Sequence, residues 1–285
     1  TRFEDSLGKM DHWMYPTTHE EAEQWLEMFL KQRLKHFGDY QDAFSTKHAT
    51  LYHSLLSPLL NSGLLTPQYV VDRCIRYSKD HRIALNNSEG FIRQIIGWRE
   101  FVRMVYSVYG DRLRKQSSFS CAQRIKTSLW MGTTGLAPVD HVVGKLLGSG
   151  YLHHNERLMI LGNYALLMEY DAHQIYQWFM TLFMDAYDWV MVPNIYGMVY
   201  FGGHGLMTTK PYISSSTYIK RMGFYKNSQW ASVWDALYWT FLEKHKQLLS
   251  TTGRMGLVLY HLSRLGSDKL RTYHRIRKDY LKNLE

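Results

Sequence analysis

Adjacent histidines and two isolated aspartates are the side chains of this sequence best suited to chemistry. His153 and His154 carry imidazoles, which titrate near neutrality and can serve as acid or base. Adjacent histidines alone are weak evidence, because most of the 14 histidines in such a chain are surface or satisfied core residues. Asp185 and Asp188 lie in the otherwise uncharged stretch 175–192, which favours a buried polar role over a solvated face.

The motifs that are missing, together with the composition, exclude several common classes of function. Walker, Rossmann, nucleophile-elbow and zinc-helix motifs are all absent. Cys74 and Cys121 can supply neither a disulfide framework nor a four-thiolate site, which predicts a reducing, cytoplasmic location. A net charge of +9 suits a polyanionic partner such as nucleic acid. The aromatic share of 15% leaves open whether rings bind a ligand or only pack.

Helical periodicity dominates the elements that must position these residues. Thr18 and Glu21 resemble a capping box and predict a helix that ends at Gly38. Ser88 predicts the cap of another helix, which ends at Gly110. Further helices are expected from about residues 139, 155, 173, 232 and 254, and hairpin signals are scarce. The sequence therefore predicts an all-α fold.

Two stretches of the chain admit alternative interpretations. Residues 175–192 are long enough to span a bilayer, but their aspartates would be costly in lipid, which predicts a buried core helix and no membrane partner. The glycine-containing joint 197–205 is long enough to be a functional loop, although its glycines can equally serve only to permit turns.

Ordered motifs give the most specific signal. They are 51–58 (LYHSLLSP), 61–67 (NSGLLTP), 93–101 (RQIIGWREF), 132–140 (GTTGLAPVD), 150–158 (GYLHHNERL), 185–198 (DAYDWVMVPNIYGM) and 210–214 (KPYIS). Together they resemble the helical FAD-binding domain of the photolyase/cryptochrome family, over roughly residues 16 to 265. The segment 37–43 (FGDYQDA), the histidine pair and the spacing of Tyr212 and Tyr218 look most similar to the bacterial iron-sulfur branch, which repairs (6-4) photoproducts.

The resemblance implies FAD as cofactor. The implied FAD-binding residues are His53, Ser54, Leu55, Leu56, Ser57, Gln94, Arg157, Asp185, Asp188 and Asn194. Ser54 and Ser57 are the phosphate-side candidates, although a serine after an apolar run is by itself more often a helix cap. Arg157 and Asp185 are expected to pair beside the flavin, with a purely structural ion pair as the alternative.

The same resemblance implies a lesion site and an electron path. His154, with His153, is the candidate to donate a proton to the lesion. The remaining candidates are Asp42, with a hydrated Mg²⁺, and Trp98, Tyr212 and Tyr218 against the lesion, with Trp178 and Trp130 as the electron relay. Phe179 stands where the branch usually offers Tyr, and the alternative for these aromatic residues is core packing.

Two departures from the branch bear on cofactors. The four cysteines that hold its iron-sulfur cluster are replaced by Pro138, Lys226, Gln229 and Ser232, so no cluster is expected. The family's N-terminal α/β antenna domain is expected to be absent, and no antenna chromophore is expected in this chain. Residues 1–16 are predicted to be an interdomain entry segment and residues 17–285 the helical FAD-binding catalytic domain. Whether the chain is a fragment or naturally short stays open.

The resulting functional prediction is an FAD-dependent, light-driven photolyase of the (6-4) type that acts on damaged DNA as a monomer. Two alternatives remain: a cryptochrome-like blue-light photoreceptor without repair activity, and a flavin-free relic DNA-binding domain. A basic stretch could approach the DNA phosphates, with a solvated helix face as its alternative; it comprises Arg264, Lys269, Arg271, Arg275, Arg277 and Lys278.

Overall fold

The computed structural model describes residues 7, 13–223, 225 and 229–284. This part of the chain is helical and contains no β-strand, only an isolated bridge between Gln123 and Tyr170. The predicted all-α fold is confirmed. The helices are α1 His19–Gln32, α2 Leu34–Tyr40, α3 Ser57–Ser62, α4 Pro67–Asp80, α5 Leu85–Arg93, α6 Arg99–Lys115, α7 Thr127–Met131, α8 Ala137–Ser149, α9 Asn163–Leu167, α10 Ala172–Leu182, α11 Asp188–Val192, α12 Ser216–Gly223, α13 Gln229–Lys244, α14 Lys246–Ser250, α15 Gly256–Ser263 and α16 Ser267–Asn283.

Wider π-helical turns occupy three further segments. They are Gln94–Trp98, between α5 and α6; Glu156–Gly162, before α9; and Pro193–Val199, after α11. Each is continuous with a neighbouring α-helix and inserts extra residues into the turn, which is common at functional sites. All three contribute side chains to the cavity described below.

The first helix begins as predicted but ends differently. The Thr18 hydroxyl accepts a hydrogen bond from the Glu21 amide, and the Glu21 carboxylate accepts one from the Thr18 amide, at 3.2 Å each. The predicted end at Gly38 is wrong, because α2 continues to Tyr40. A Cβ at Gly38 would lie 2.4 Å from the Asn86 carbonyl oxygen, so this glycine lets α2 approach the start of α5.

The second predicted helix is longer at both ends. It begins at Leu85, so Ser88 lies inside α5 and is not its cap; the buried Ser88 hydroxyl donates to the Leu85 carbonyl. The same helical run passes Gly110 and ends at Lys115. The other predicted helices begin within three residues of the expected positions.

The apolar stretch 175–192 is not one helix. Helix α10 ends at Leu182, and α11 begins at Asp188. The chain turns between them, which places Asp185 in the connection rather than on a helix face. No helix in the described ranges is long and apolar enough to cross a bilayer.

Two hydrophobic cores lie on either side of the site. One joins α1 to α5 around Leu26, Phe29 and Phe91. The other joins α7 to α15 around Trp178 and Trp234. Side chains from both cores line the same cavity, so the cavity lies where the two packed units meet, a common location for ligand sites.

The entry segment is described only in part. Residues 1–6 and 8–12 lie outside the described residues, as does Lys226. At the end of the segment, buried Tyr15 packs with Leu55 and Tyr151, and its hydroxyl donates to the Ser149 carbonyl at 3.0 Å. The segment is therefore anchored to the helical domain at Tyr15.

Candidate active site

A cavity of about 470 Å³ between the two cores collects most of the predicted site residues. Its volume falls within the roughly 300–1,000 Å³ of small-molecule and cofactor sites. The predicted residues that line it are Asp42, His53, Ser54, Leu55, Leu56, Ser57, Gln94, Trp98, His153, His154, Arg157, Asp185, Asn194 and Tyr212. The cavity therefore joins residues from widely separated motifs, as a cofactor site would require.

Arg157 and Asp185 form an ion pair in the cavity wall. Their two hydrogen bonds are 2.8 Å (Nη1 to Oδ1) and 3.0 Å (Nη2 to Oδ2). The side chains are only 13% and 10% exposed. Burial opposes ionisation of Asp185, but the adjacent Arg157 charge and the hydrogen bonds outweigh it and lower the pKa of the carboxyl. The pair is a fixed charged feature of the cavity.

The two serines predicted on the phosphate side differ in their contacts. Ser57 donates its hydroxyl proton to Asp185 Oδ2 at 2.7 Å, so it supports the ion pair. Ser54 Oγ accepts a bond from the Leu56 amide at 3.4 Å, across Leu55, whose φ of 54° is left-handed. Of these two serines, Ser54 is the one whose hydroxyl proton has no acceptor among the described residues. Ser54 is therefore the better donor to an anion.

Asp188 lies apart from the other predicted cofactor-binding residues. It does not line the cavity. Its carboxylate accepts bonds from the hydroxyls of Tyr106 and Tyr176 at 2.5 Å each, and from Arg114 at 2.6 Å. The turn before α11 explains the difference, because it separates Asp188 from the side of the chain on which Asp185 meets Arg157.

Several polar atoms in the cavity wall have no partner in the protein. Asn194 Nδ2 donates to the Val190 carbonyl at 2.7 Å, but the buried Oδ1 accepts no bond. Gln41 Oε1 is also buried without a hydrogen bond. Buried polar atoms are normally satisfied, so these atoms fit a polar ligand that enters the cavity.

Arg99 is a cavity residue that the sequence analysis missed. Its Nη1 donates to Asn61 Oδ1 at 3.0 Å, and its guanidinium lies 4.9 Å from the Trp189 ring centroid. Burial lowers its pKa, and no carboxylate forms an ion pair with it among the described residues. The motif 93–101 contained this residue, but sequence alone could not show that it faces the cavity. A guanidinium beside hydroxyls and amides suits phosphate oxygens, and the cavity therefore fits FAD.

His153 is held by its neighbours. Its Nδ1 accepts a bond from the Asn155 amide at 3.3 Å, so Nε2 carries the proton and donates to the Gln41 carbonyl at 2.8 Å. The ring stacks on His53 with centroids 4.2 Å apart. Burial, and then charge on the nearby His53, lower the pKa of His153 to about 2. Burial, and then the Lys145 charge, lower the pKa of His53 to about 4. Both nitrogens of His153 are thus used structurally.

His154 is free where His153 is not. Its ring faces the open cavity, with protein on its other sides, and lies edge-on to Trp98 at 5.8 Å. No described residue accepts or donates a hydrogen bond at this ring. His154 is exposed to the cavity. The protein around it, followed by the Arg157 charge, lowers its pKa to about 4, which leaves a neutral imidazole at neutral pH. Of the two histidines, His154 is the one able to exchange a proton with a ligand.

The two relay tryptophans are neighbours. The Trp130 and Trp178 ring centroids are 6.3 Å apart; Trp178 is fully buried and Trp130 half-buried. Neither ring lines the cavity, but Phe179 does, and its ring lies 5.3 Å from Trp178. Phe179 therefore separates the cavity from the tryptophan pair, and this path contains a phenylalanine that is hard to oxidise.

The remaining lesion-side candidates lie near the cavity mouth. Asp42 is exposed and lines the cavity. Tyr218 does not line it, but burial and then the neighbouring Asp42 and Tyr212 raise the pKa of its hydroxyl. Within the described ranges, no group of three or more His, Cys, Asp or Glu side chains could hold a metal ion. The Mg²⁺ site at Asp42 stays a prediction.

Other predicted features lie apart from the cavity. Helices α13 to α16 contribute no residue to the cavity. Three basic side chains of the predicted DNA-binding stretch have partners within the protein: Arg277 bonds buried Glu169, Arg271 bonds Asp268, and Arg264 bonds Tyr260. Among the candidate cluster positions that the structure describes, Pro138 lies in the first turn of α8, and Gln229 and Ser232 lie on α13. In the joint 197–205, Met198 alone faces the cavity.

Comparisons with known proteins agree with this architecture. No family model matches the chain. The chain is 34% identical over 276 residues to the (6-4) photolyase of Agrobacterium fabrum, which covers 93% of this chain and 54% of that protein. It is 28% identical over 141 residues to a chloroplastic/mitochondrial cryptochrome DASH of Oryza sativa subsp. japonica, 47% of this chain and 24% of that protein.

The crystal structure of a bacterial class III photolyase from Agrobacterium tumefaciens has the same fold. It matches with a TM-score of 0.61 and 20% identity, over 93% of this chain and 55% of that one. The chain thus spans about half the length of the two photolyases.

Proposed function

Since the chain belongs to the photolyase/cryptochrome family, we propose that it is an FAD-dependent, light-driven DNA photolyase of the (6-4) type. One observation carries the proposal: His154, with a free imidazole, faces the same cavity as Trp98 and the Arg157–Asp185 ion pair. A proton-transfer group, a stacking surface and a cofactor-sized cavity are thus combined at one place.

The cavity walls supply the binding groups for FAD. Arg99 and Ser54 face the phosphates. Asn194 Oδ1, which has no partner in the protein, and the His53 ring contact polar atoms of the ligand, and Gln94 and the backbone at Leu55 and Leu56 complete the set. When bound and reduced, FAD supplies the light-driven electron for a flipped-out pyrimidine lesion in damaged DNA.

His154 exchanges the proton at the lesion. In the free chain its imidazole is neutral, so its N–H can donate a hydrogen bond. The negative charge of DNA that approaches the cavity favours the protonated ring, because an opposite charge stabilises the charged form. His153 holds the segment around His154 through the Gln41 carbonyl. Trp98 stacks on the lesion, with Tyr212 and Tyr218 beside it.

With FAD bound, the Trp178–Trp130 pair would carry electrons from the surface towards it. Asp42 at the cavity mouth would hold a hydrated Mg²⁺ that screens the DNA backbone, with water and phosphate as the other ligands, since no group of three or more possible protein ligands occurs in the described ranges. The chain acts on DNA as a monomer.

A cryptochrome-like photoreceptor is the second candidate. The observation that favours it is Phe179, which interrupts the aromatic path between the cavity and Trp178. A relative named cryptochrome DASH is consistent with this alternative. A flavin-free DNA-binding domain is the third, and the cofactor test below addresses it.

The experiment has two stages. The absorption spectrum of purified, dark-kept protein, with and without added FAD, is recorded before and after blue light with a reductant. Flavin bands that bleach are expected, and their absence after FAD addition would leave only the flavin-free domain. The bleached protein is then given oligonucleotides with a defined (6-4) or cyclobutane lesion. Light-dependent repair of the (6-4) lesion is expected; bleaching without repair of either lesion would indicate the photoreceptor.

A further inference from the structure

A cluster of three aromatic rings lies at the surface beside the cavity. The Tyr52 ring centroid is 4.8 Å from that of His36 and 5.1 Å from that of Tyr40. His36 and Tyr40 are themselves 6.5 Å apart on α2. We call these three residues the aromatic platform. It joins the end of α2 to the turn before His53.

The platform is not part of either hydrophobic core of the described chain. Tyr40 is 46% exposed, and Tyr52 and His36 are half-buried. Rings that pack on one another while one face stays open to solvent do not gain the full burial that normally explains an aromatic cluster. Their open surface fits a flat ligand group.

The platform adjoins the cavity through the chain itself. Gln41 and Asp42 directly follow Tyr40, His53 directly follows Tyr52, and all three line the cavity. A polymer with one unit inside the cavity would therefore pass close to the platform with its neighbouring units.

Basic and acidic side chains both flank the platform, because exposed Lys35 and Lys47 are balanced by Asp39 and Asp42, so stacking rather than local charge must supply the binding here. Lys35 precedes His36, and Lys47 and His48 lie in the loop after Asp42; all three are exposed. The neighbouring Asp39 carboxylate accepts a hydrogen bond from Asn86 at 2.9 Å, which occupies one of its oxygens. The whole chain carries a net charge of +9.

We propose that the aromatic platform stacks against unpaired bases of single-stranded DNA next to the base that enters the cavity. Every base offers a π-face, so such a platform binds DNA with little sequence preference. The inference rests on the proposed function. In it, Tyr40, Tyr52 and His36 contact the nucleotides that remain outside the cavity.

The test is binding of a fluorescent oligothymidylate of about ten nucleotides, within the usual site size of single-strand binders, measured by anisotropy in the dark. Tyr40→Leu and Tyr52→Leu are each expected to weaken binding about tenfold, the loss of roughly one stacked base. Tyr40→Phe keeps the ring and should bind as the wild type does. Tyr77→Leu is the matched control, because Tyr77 stacks on His81 at 3.9 Å on α4, which contributes nothing to the cavity.

Salt dependence separates stacking from charge. Loss of a stacked base should lower affinity at every salt concentration and leave the slope of log Kd against log salt unchanged. An abasic oligonucleotide of equal length should bind wild-type protein more weakly than oligothymidylate binds Tyr40→Leu, because it lacks every stacked base rather than one. This comparison does not depend on how the variants fold.

Three results would overturn the proposal: wild-type affinity in both leucine variants, equal weakening by Tyr40→Phe and Tyr40→Leu, or a loss of affinity with a matching loss of salt slope. The DNA is undamaged and the assay is dark. A chain that binds it normally but repairs no lesion would therefore contradict the proposed function while it leaves the platform intact.

Discussion

Arg157 and Asp185 share two hydrogen bonds although 28 positions separate them in the chain. The pair forms because the chain turns between α10 and α11 and carries Asp185 back towards the segment that follows the histidine pair. Ser57 binds the same carboxylate, and Asn61 donates to the Asp185 carbonyl at 2.9 Å. One ion pair thus connects three motifs that line the cavity.

Asp185→Asn should destabilise the fold by about 3 kcal/mol, because it leaves the Arg157 guanidinium largely buried without a counter-charge. Urea unfolding measures the change. Arg157→Met in the same protein should recover part of the loss, since the unpaired charge is gone. The control is Arg93→Gln, which breaks an exposed pair with Glu89 and should cost less than about 1 kcal/mol. Equal losses in the two single variants would contradict a special role for the buried pair.

Trp178→Phe should abolish fast light-driven bleaching of bound flavin, because it removes the ring between Phe179 and Trp130. Trp130→Phe should slow the bleaching, and Phe179→Tyr should accelerate it, since tyrosine is easier to oxidise than phenylalanine. Stopped illumination followed at the flavin bands gives the rates. Trp239→Phe, which alters a ring that packs on Tyr238, is the matched control and should leave the rate unchanged. Unchanged bleaching in Trp178→Phe would exclude this relay.

Sequence patterns predicted the residues of the site better than its geometry. The ordered motifs identified the family and most of the cavity lining, because each motif contributes local side chains whose identity is visible in the sequence. They could not separate Asp185 from Asp188, since a turn that periodicity does not reveal directs the two side chains to different partners. Gly38 was interpreted as a helix end, whereas its cause is a long-range approach to Asn86.

The contrast between the two histidines was equally invisible in the sequence. The partners of His153 are the Gln41 carbonyl, which lies 112 positions away, and the nearby Asn155 amide. Arg99 belonged to a recognised motif, but its role depended on Asn61 and Trp189, which come from other elements. Contacts of this kind are fixed by tertiary packing, so local spacing can suggest a residue without giving its environment.

Stability should fall as the pH is lowered from about 6.5 towards 4. Burial lowers the pKa of His53 to about 4 in the folded chain, below the ordinary value of 6.5, so in this window the unfolded chain binds more protons. At pH 5 this histidine alone should reduce the free energy of unfolding by on the order of 2 kcal/mol relative to pH 7. His153, whose pKa is also lowered, adds to the effect.

Urea unfolding at a series of pH values checks this dependence. His53→Phe keeps a ring against His153 and removes one titrating group, so its stability should change less between pH 7 and pH 5. His48→Phe, at an exposed position, should retain the wild-type dependence. A His53→Phe profile as steep as that of the wild type would show that the buried His53 does not cause the acid sensitivity.

His154→Ala should lower the rate of (6-4) repair by about 10²- to 10⁴-fold, the usual contribution of a positioned acid or base. Flavin content and bleaching should persist, because the ring forms no hydrogen bond with the rest of the described chain and its removal disturbs only the edge-on contact with Trp98. His153→Ala should behave differently: it breaks the bond to the Gln41 carbonyl and the stack on His53, so its main effect should be on stability. Single-turnover repair, flavin absorbance and urea unfolding, measured on both variants, separate the two roles. If His154→Ala repairs the lesion at the wild-type rate, proton transfer belongs to another group; if His153→Ala is as stable as the wild type, its contacts do not support the site.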